Sequence, residues 1–250
     1  MLAQAARVAG AGTSAGGVTP PSPLIILLVM AALSMVPFVL LMTTCFVKVA
    51  VVLSILRSAI GTPQVPPTQI ITGLALILTA YVMAPTGERM WAAVHPVSGA
   101  VSGATNVGGG AAGAEVFSVQ TVGALLQAGE RAKEPLRAFL LKHADRRDRA
   151  TFHQLALRLR TPAERAGITD QDMMVVVPAF VTSELRRAFE IGFLLFIPFL
   201  VVDLVISNLL LALGMHMLAP STVSLPFKLL LFVLADGWHL VARGLVEGYL

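Results

Sequence analysis

An all-α, membrane-associated fold follows from three observations on this 250-residue sequence. Hydrophobic residues make up 56% of it and charged residues only 13%, with a mean hydropathy of +0.80; soluble domains carry roughly 25% charge. The run from Leu24 to Val47 has no charge; as a helix it spans about 36 Å, enough to cross a hydrocarbon core of about 30 Å. Two apolar halves, 24–85 and 173–250, flank a segment, 86–172, that holds twenty of the thirty-two charges, eleven basic and nine acidic. The prediction is long-helix hairpins with a small helical soluble domain inserted between the two apolar halves.

The net charge of +4 and the pI of 9.7 do not signal nucleic acid, because the basic residues are interleaved with acidic ones and lack aromatic platforms. The single Cys45 lies in an apolar run and cannot form an internal disulfide. It reads as buried packing.

In chain order, residues 1–23 are mostly Ala, Gly, Ser, Thr and Pro with one charge, Arg7, and read as a flexible tail. A cleaved secretory signal is the competing reading, but it wants a short apolar stretch close to the start, and the one here begins only near Leu24. The helix from Leu24 continues through Lys48 and Arg57 to Ile60, with Pro37 as the expected kink. Lys48 and Arg57 are nine residues apart and point to opposite sides of a continuous helix. Hiding both requires partners on two sides; alternatively Arg57 snorkels at a helix end. Gly61 to Pro67 is a turn by composition. Thr68 is the expected N-cap of a helix from Gln69 to Ala84 that Pro85 ends. This helix is short for a span, and burial inside a complex fits it equally.

Residues 98–114 read as a Gly-rich linker. Gly108, Gly110 and Gly113 satisfy G-x-G-x-x-G by coincidence, with no preceding strand. Residues 121–160 read as helices, and Lys142, Asp145, Arg146, Arg147, Asp148 and Arg149 as their solvated face.

The second apolar half is a helical hairpin. Gly214 can take a left-handed cap and Pro220 cannot continue a helix, so Met215, His216 and Met217 occupy the tip. Glu184, Arg186, Arg187, Glu190, Asp203, Lys228 and Asp236 interrupt the arms. Charge costs a few kcal/mol or more within a bilayer, so these residues need protein or water beside them. Glu184 with Arg187, Arg186 with Glu190, and Arg187 with Glu190 stand at i,i+3 or i,i+4 and can neutralise one another. Asp203 has no partner within a turn; Lys228 across the hairpin is the candidate.

The five histidines form no H-E-x-x-H, there is no cysteine pair for zinc and no Walker loop. No catalytic group, cofactor or metal is assigned. Met215-His216-Met217 offers too few ligands for copper. Those side chains either fill a turn or, if copies converge, form a compliant seal.

At these residues the sequence resembles the FliP/SctR family of type III secretion export-gate subunits. The matching stretches are Leu53 to Arg57 with the Gly61…Pro66-Pro67 turn, Tyr81 to Pro85, Pro178-Ala179-Phe180 through Glu190 to Phe193, Pro198-Phe199…Asp203-Leu204-Val205, and Ser224 to Val233 with Asp236-Gly237-Trp238. Together they cover both apolar halves. The start of the chain and Val205-Ile206-Ser207-Asn208 look more like the injectisome branch, SctR, than flagellar FliP. The resemblance implies a homo-oligomer in the bacterial inner membrane, partly on the periplasmic side. It implies assembly with SctS/FliQ-like and SctT/FliR-like subunits into a closed helical channel for unfolded secreted proteins, alongside SctU/FlhB-like and SctV/FlhA-like components. It places Met215, His216 and Met217 at the pore constriction, and Lys48, Arg57, Glu184, Arg186, Arg187, Glu190, Asp203, Lys228 and Asp236 in buried or subunit-packing positions. His216 departs from the family's methionine. Because histidine changes charge near neutrality, the departure predicts a pH-dependent seal. Two rival readings remain: a self-contained proton-coupled transporter using Asp203 or Glu190, and a structural scaffold around another subunit's pore.

Overall fold

The computed structural model describes residues 23–62, 66–104 and 119–250, and among them are eight α-helices, a short 3-10 turn and no strand. They are α1 (Pro23–Thr43), α2 (Phe46–Ile60), α3 (Thr68–Ala104), α4 (Val119–His143), α5 (Arg146–Leu159), α6 (Met173–Ala212), α7 (Pro220–Leu234) and α8 (Gly237–Glu247), with the 3-10 turn at Pro162–Gly167. Of the tail assigned to residues 1–23, residues 1–22 lie outside the described residues and Pro23 opens α1.

The first apolar run is two helices. Pro37 sits inside α1, and the sharp bend, 70°, falls instead at Thr44–Cys45. Adjacent threonine hydroxyls explain it. Thr43 Oγ1 donates to the Val39 carbonyl (2.8 Å) and Thr44 Oγ1 to that of Leu41 (3.3 Å), competing with the helical ladder as such side chains do. The Thr44 hydroxyl also accepts from the Phe46 amide that opens α2. Cys45 is buried at the bend, its thiol directed at the Thr79 carbonyl on α3.

The expected stop at Pro85 is also corrected. α3 runs through it to Ala104, so the boundary drawn at residue 85 falls inside one helix and residues 98–104 of the expected linker are helical; 105–114 lie outside the described residues. A proline removes one ladder hydrogen bond, and α3, a 37-residue helix held by contacts with α2 and α4, continues past that loss.

Helix α6 organises the rest. Its 40 residues rise about 60 Å, twice a bilayer core. At one end it packs on α4 and α5 through Leu140, Ala144, Val176, Ala179 and Phe180. Further along it packs on α2, in a core that includes Val52, Leu56, Ala188 and Phe199. Gly192 permits this approach, because a Cβ there would lie 2.4 Å from Ile55 Cδ1. Beyond this core α6 is largely bare, and only 17% of its most apolar stretch is buried. Two helices, α3 and α6, are long and apolar enough to cross a membrane, or up to four spans exist if α1–α2 and α7–α8 each count as one bent span. The α7–α8 bend, 60° at Ala235–Asp236, divides the second arm of the hairpin, which the sequence suggests is continuous.

Candidate functional site: two charge clusters and a hairpin tip

The charges of the apolar halves fall into two clusters and a remainder. The first cluster joins α2, α4, α6 and Tyr249. Glu184 is fully buried and Lys48 2% exposed, with 4.0 Å between their charged atoms. The Lys48 ammonium lies 3.9 Å from the centre of the Tyr249 ring, a cation–π contact in a dry setting. The Tyr249 hydroxyl donates to Glu184 Oε2. Arg187 donates to Glu184 Oε1 (3.2 Å) and to the His143 carbonyl (2.9 Å), capping the last turn of α4 where a cation is favoured. Burial, followed by the neighbouring Glu184 charge, pushes the Tyr249 phenol far up, so it is a donor at any physiological pH. The His143 ring lies against Phe139 (4.6 Å) and Tyr249 (5.1 Å). Its pKa is pushed down to about 4 by burial and then by the Lys142, Arg187 and Lys48 charges.

Around this cluster lies a polar dock for α5. Arg186 reaches Asp145 (2.6 Å) and Asp148 (3.1 Å) on α5, and Glu190 only at 4.0 Å. Buried Ser183 donates to Asp148 (2.7 Å) and accepts from the Asp145 amide (2.9 Å). Asp145 also caps α5 by accepting from the Arg147 amide. That bond, opposed by burial and helped by Arg186 and Arg187, holds its carboxyl below the usual range. Asp145 and Asp148 are therefore docking residues, which corrects their assignment to a solvated face. Arg187 turns to Glu184 and the end of α4 rather than to Glu190.

The second cluster closes the hairpin. Lys228 on α7 donates to Asp203 Oδ2 on α6 (2.6 Å) and to the Ala59 carbonyl at the end of α2 (3.2 Å). Ser224 donates to the other Asp203 oxygen (2.6 Å). Gly61, left-handed at φ +88, ends α2 and leaves the lysine tip room beside it.

The remaining charges lie outside both clusters. Arg57 is half-buried and donates to Thr68 Oγ1 (2.8 Å). Glu190 and Asp236 are exposed, at 64% and 78%, so their expected burial is not achieved within one chain. Asp236 pairs only with His239, at 3.7 Å. At the tip, Gly214 is left-handed (φ +72) and Pro220 occupies the first turn of α7. Met217 is 98% exposed, Met215 44%, and His216 is exposed. Tyr249, His143, Asp145, Asp148, Ser183 and Ser224 were not singled out for these roles from sequence. The spacing Val241, Leu245, Tyr249 is the one local signal that points Tyr249 inward.

Long apolar helices with uncovered faces, and charges retained only where they are paired or at an edge, define an all-helical membrane protein. The chain belongs to the FliP family, whose match extends over residues 29–245. It is similar to the hypersensitivity response secretion protein HrcR of Ralstonia nicotianae, 43% identical over 224 residues, covering 89% of this chain and 96% of that protein. It is similar also to the flagellar biosynthetic protein FliP of Caulobacter vibrioides, 44% identical over 249 residues, covering 99% and 84%. The Yop proteins translocation protein R of Yersinia pestis is 40% identical over 229 residues, covering 92% and 97%. Secretion and flagellar relatives thus match at nearly equal identity, and identity does not separate the two branches.

Proposed function

We propose that this chain is a core subunit of a type III protein export gate. Several copies assemble with SctS/FliQ-like and SctT/FliR-like subunits, alongside SctU/FlhB-like and SctV/FlhA-like components, in the bacterial inner membrane, part of the assembly standing on the periplasmic side. The assembly conducts unfolded proteins; the chain performs no catalysis and needs no cofactor. The family and the names of its relatives support this reading. The structural observation that carries it is the uncovered apolar stretch of α6, a helix of about 60 Å with only 17% of that stretch buried, ending in an exposed Met215-His216-Met217 tip. A surface of that extent needs other subunits or lipid, and methionine side chains adapt to whatever passes them.

The transporter reading fits less well. Asp203 is already held by Lys228 and Ser224, and Glu190 lies on an exposed face. Replacing Met215 and Met217 with alanine tests the constriction against the scaffold reading: a constriction leaks ions and alters secretion, whereas a scaffold changes neither. With the tip intact, ion leak through the reconstituted complex differs between about pH 5 and about pH 8 if His216 takes part in the seal. Equal leak removes that role.

A further inference from the structure

We propose that residues 237–250 form a hinged strap, with α8 pivoting at Asp236–Gly237 and Tyr249 acting as the bolt that closes it over Lys48 and Glu184. The inference rests on geometry within one chain and does not depend on the export reading.

The hinge is specific. Asp236, at φ +49, is the only non-glycine with positive φ among the described residues, a conformation that aspartate tolerates better than most side chains. Gly237 follows directly, and a Cβ there would stand 2.2 to 2.7 Å from the Phe232 ring. The 60° bend between α7 and α8 is thus closed tightly on its own preceding turn.

Beyond the hinge, α8 is held by one stripe. Val241, Leu245 and Tyr249, four residues apart, are 6%, 2% and 7% exposed, and the first two join the apolar core on α2. Among the described residues Asp236 lies 3.7 Å from His239 and Arg243 pairs with Glu247, both within this element, while Lys142 of α4 donates to the Leu250 carbonyl (3.4 Å). Along the other flank an open, mainly apolar cleft of about 430 Å³ runs between α3 and α8, lined by Ile77, Leu78 and Tyr81 of α3 and by Ala242, Val246, His239, Arg243 and Glu247 of α8. A segment with few buried contacts and open space beside it belongs to the low-stability end of a structure. Tyr249 counters this by touching three other helices at once: Lys48 of α2, Phe139 and His143 of α4, and Glu184 of α6. Gly248 keeps the backbone close, since a Cβ there would lie 3.2 Å from Lys48 Nζ. Opening the strap uncovers the Lys48–Glu184 pair and the α2 core together, so a single aromatic residue controls access to both.

The test introduces Leu245→Cys together with Cys45→Ser in the full-length chain in detergent and follows N-ethylmaleimide labelling at position 245 by mass spectrometry, with hydrogen exchange of the α6 amides read alongside as the measure of global opening. Adding Tyr249→Ala is expected to raise labelling at position 245 by about tenfold while the α6 amides exchange as slowly as in the parent, the signature of an element that opens on its own. Tyr249→Phe keeps the ring over Lys48 but loses the bond to Glu184, and is expected to fall between. Hydrogen exchange of the α8 amides in Tyr249→Ala without the reporter cysteine gives the same reading should Leu245→Cys itself disturb folding. A matching rise in exchange along α6, or α8 amides no faster than in the parent, would overturn the strap.

Discussion

Lys228 Nζ stands 2.6 Å from Asp203 Oδ2 and 3.2 Å from the Ala59 carbonyl, so one ammonium ties both arms of the hairpin to the end of α2. The partners are unequally covered, with the lysine side chain 7% exposed and the aspartate 41%. Removing the aspartate leaves a largely buried cation with the Ala59 carbonyl alone, a loss below the ~3–5 kcal/mol of a fully buried pair because Asp203 is partly open to solvent. Removing the lysine leaves a carboxylate that Ser224 and water still serve. Asp203→Ala is therefore expected to lower the thermal midpoint well below that of Lys228→Met. Exchanging the two charges restores only part of the loss, because an aspartate at 228 faces the Ala59 carbonyl. Equal midpoints for the two single variants would contradict this account.

Gly192 and Ile55 set the approach of α6 to α2. Helix propensity favours alanine over glycine by about 1 kcal/mol, but a Cβ at 192 meets Ile55 Cδ1 at 2.4 Å and its Cβ at 3.2 Å. Overpacking of this kind costs about 1–3 kcal/mol, so Gly192→Ala is expected to destabilise. Ile55→Val removes the nearest atom, and the double variant should lose less than the sum of the singles, as measured by denaturant titration in detergent.

His143 makes stability depend on pH. Its folded pKa lies near 4, against 6.5 for the free side chain, so the unfolded chain takes up a proton that the folded chain refuses. Its contribution is fully present above about pH 6.5 and is lost as pH falls towards 4, by on the order of 3 kcal/mol. His143→Phe keeps the contacts with Phe139 and Tyr249 and is expected to flatten the fall in thermal midpoint between pH 7 and pH 5. An unchanged slope would contradict the assignment.

If the tip is the constriction proposed above, it contributes to function without holding the fold. Met217 is 98% exposed, and exposed positions away from caps and ion pairs shift stability by less than about 0.5 kcal/mol. Met217→Ala is expected to unfold at the parent temperature while altering leak through the assembled gate. A thermal shift in the isolated chain would show that the tip packs against its own helices.

Much of the fold was legible because charge is conspicuous in apolar sequence. Asp203 and Lys228 stood out as a pair for that reason, and the Gly214–Pro220 turn between their helices was legible from its glycine and proline. The breaks were less legible. Hydropathy runs unbroken across Thr44–Cys45, where hydroxyl groups rather than glycine or proline interrupt the ladder. Pro85 gave a false stop, because a proline's local cost does not by itself decide the end of a long helix that also contacts α2 and α4. The partner of Tyr249 was hidden for a different reason. Tyr249 lies 65 residues from Glu184, and contacts of that range leave no periodicity in sequence. Asp145 and Asp148 looked like solvated charge because their partner, Arg186, also had a tempting neighbour in Glu190.

The central claim is that the bare face of α6 is completed by other subunits. The measurement that tests it most directly is the mass of the detergent-extracted particle, with this chain expressed alone and then with its SctS- and SctT-type partners. The account predicts a particle holding several copies of the chain that grows when the partners are present. A stable monomer or dimer whose mass ignores them would contradict it.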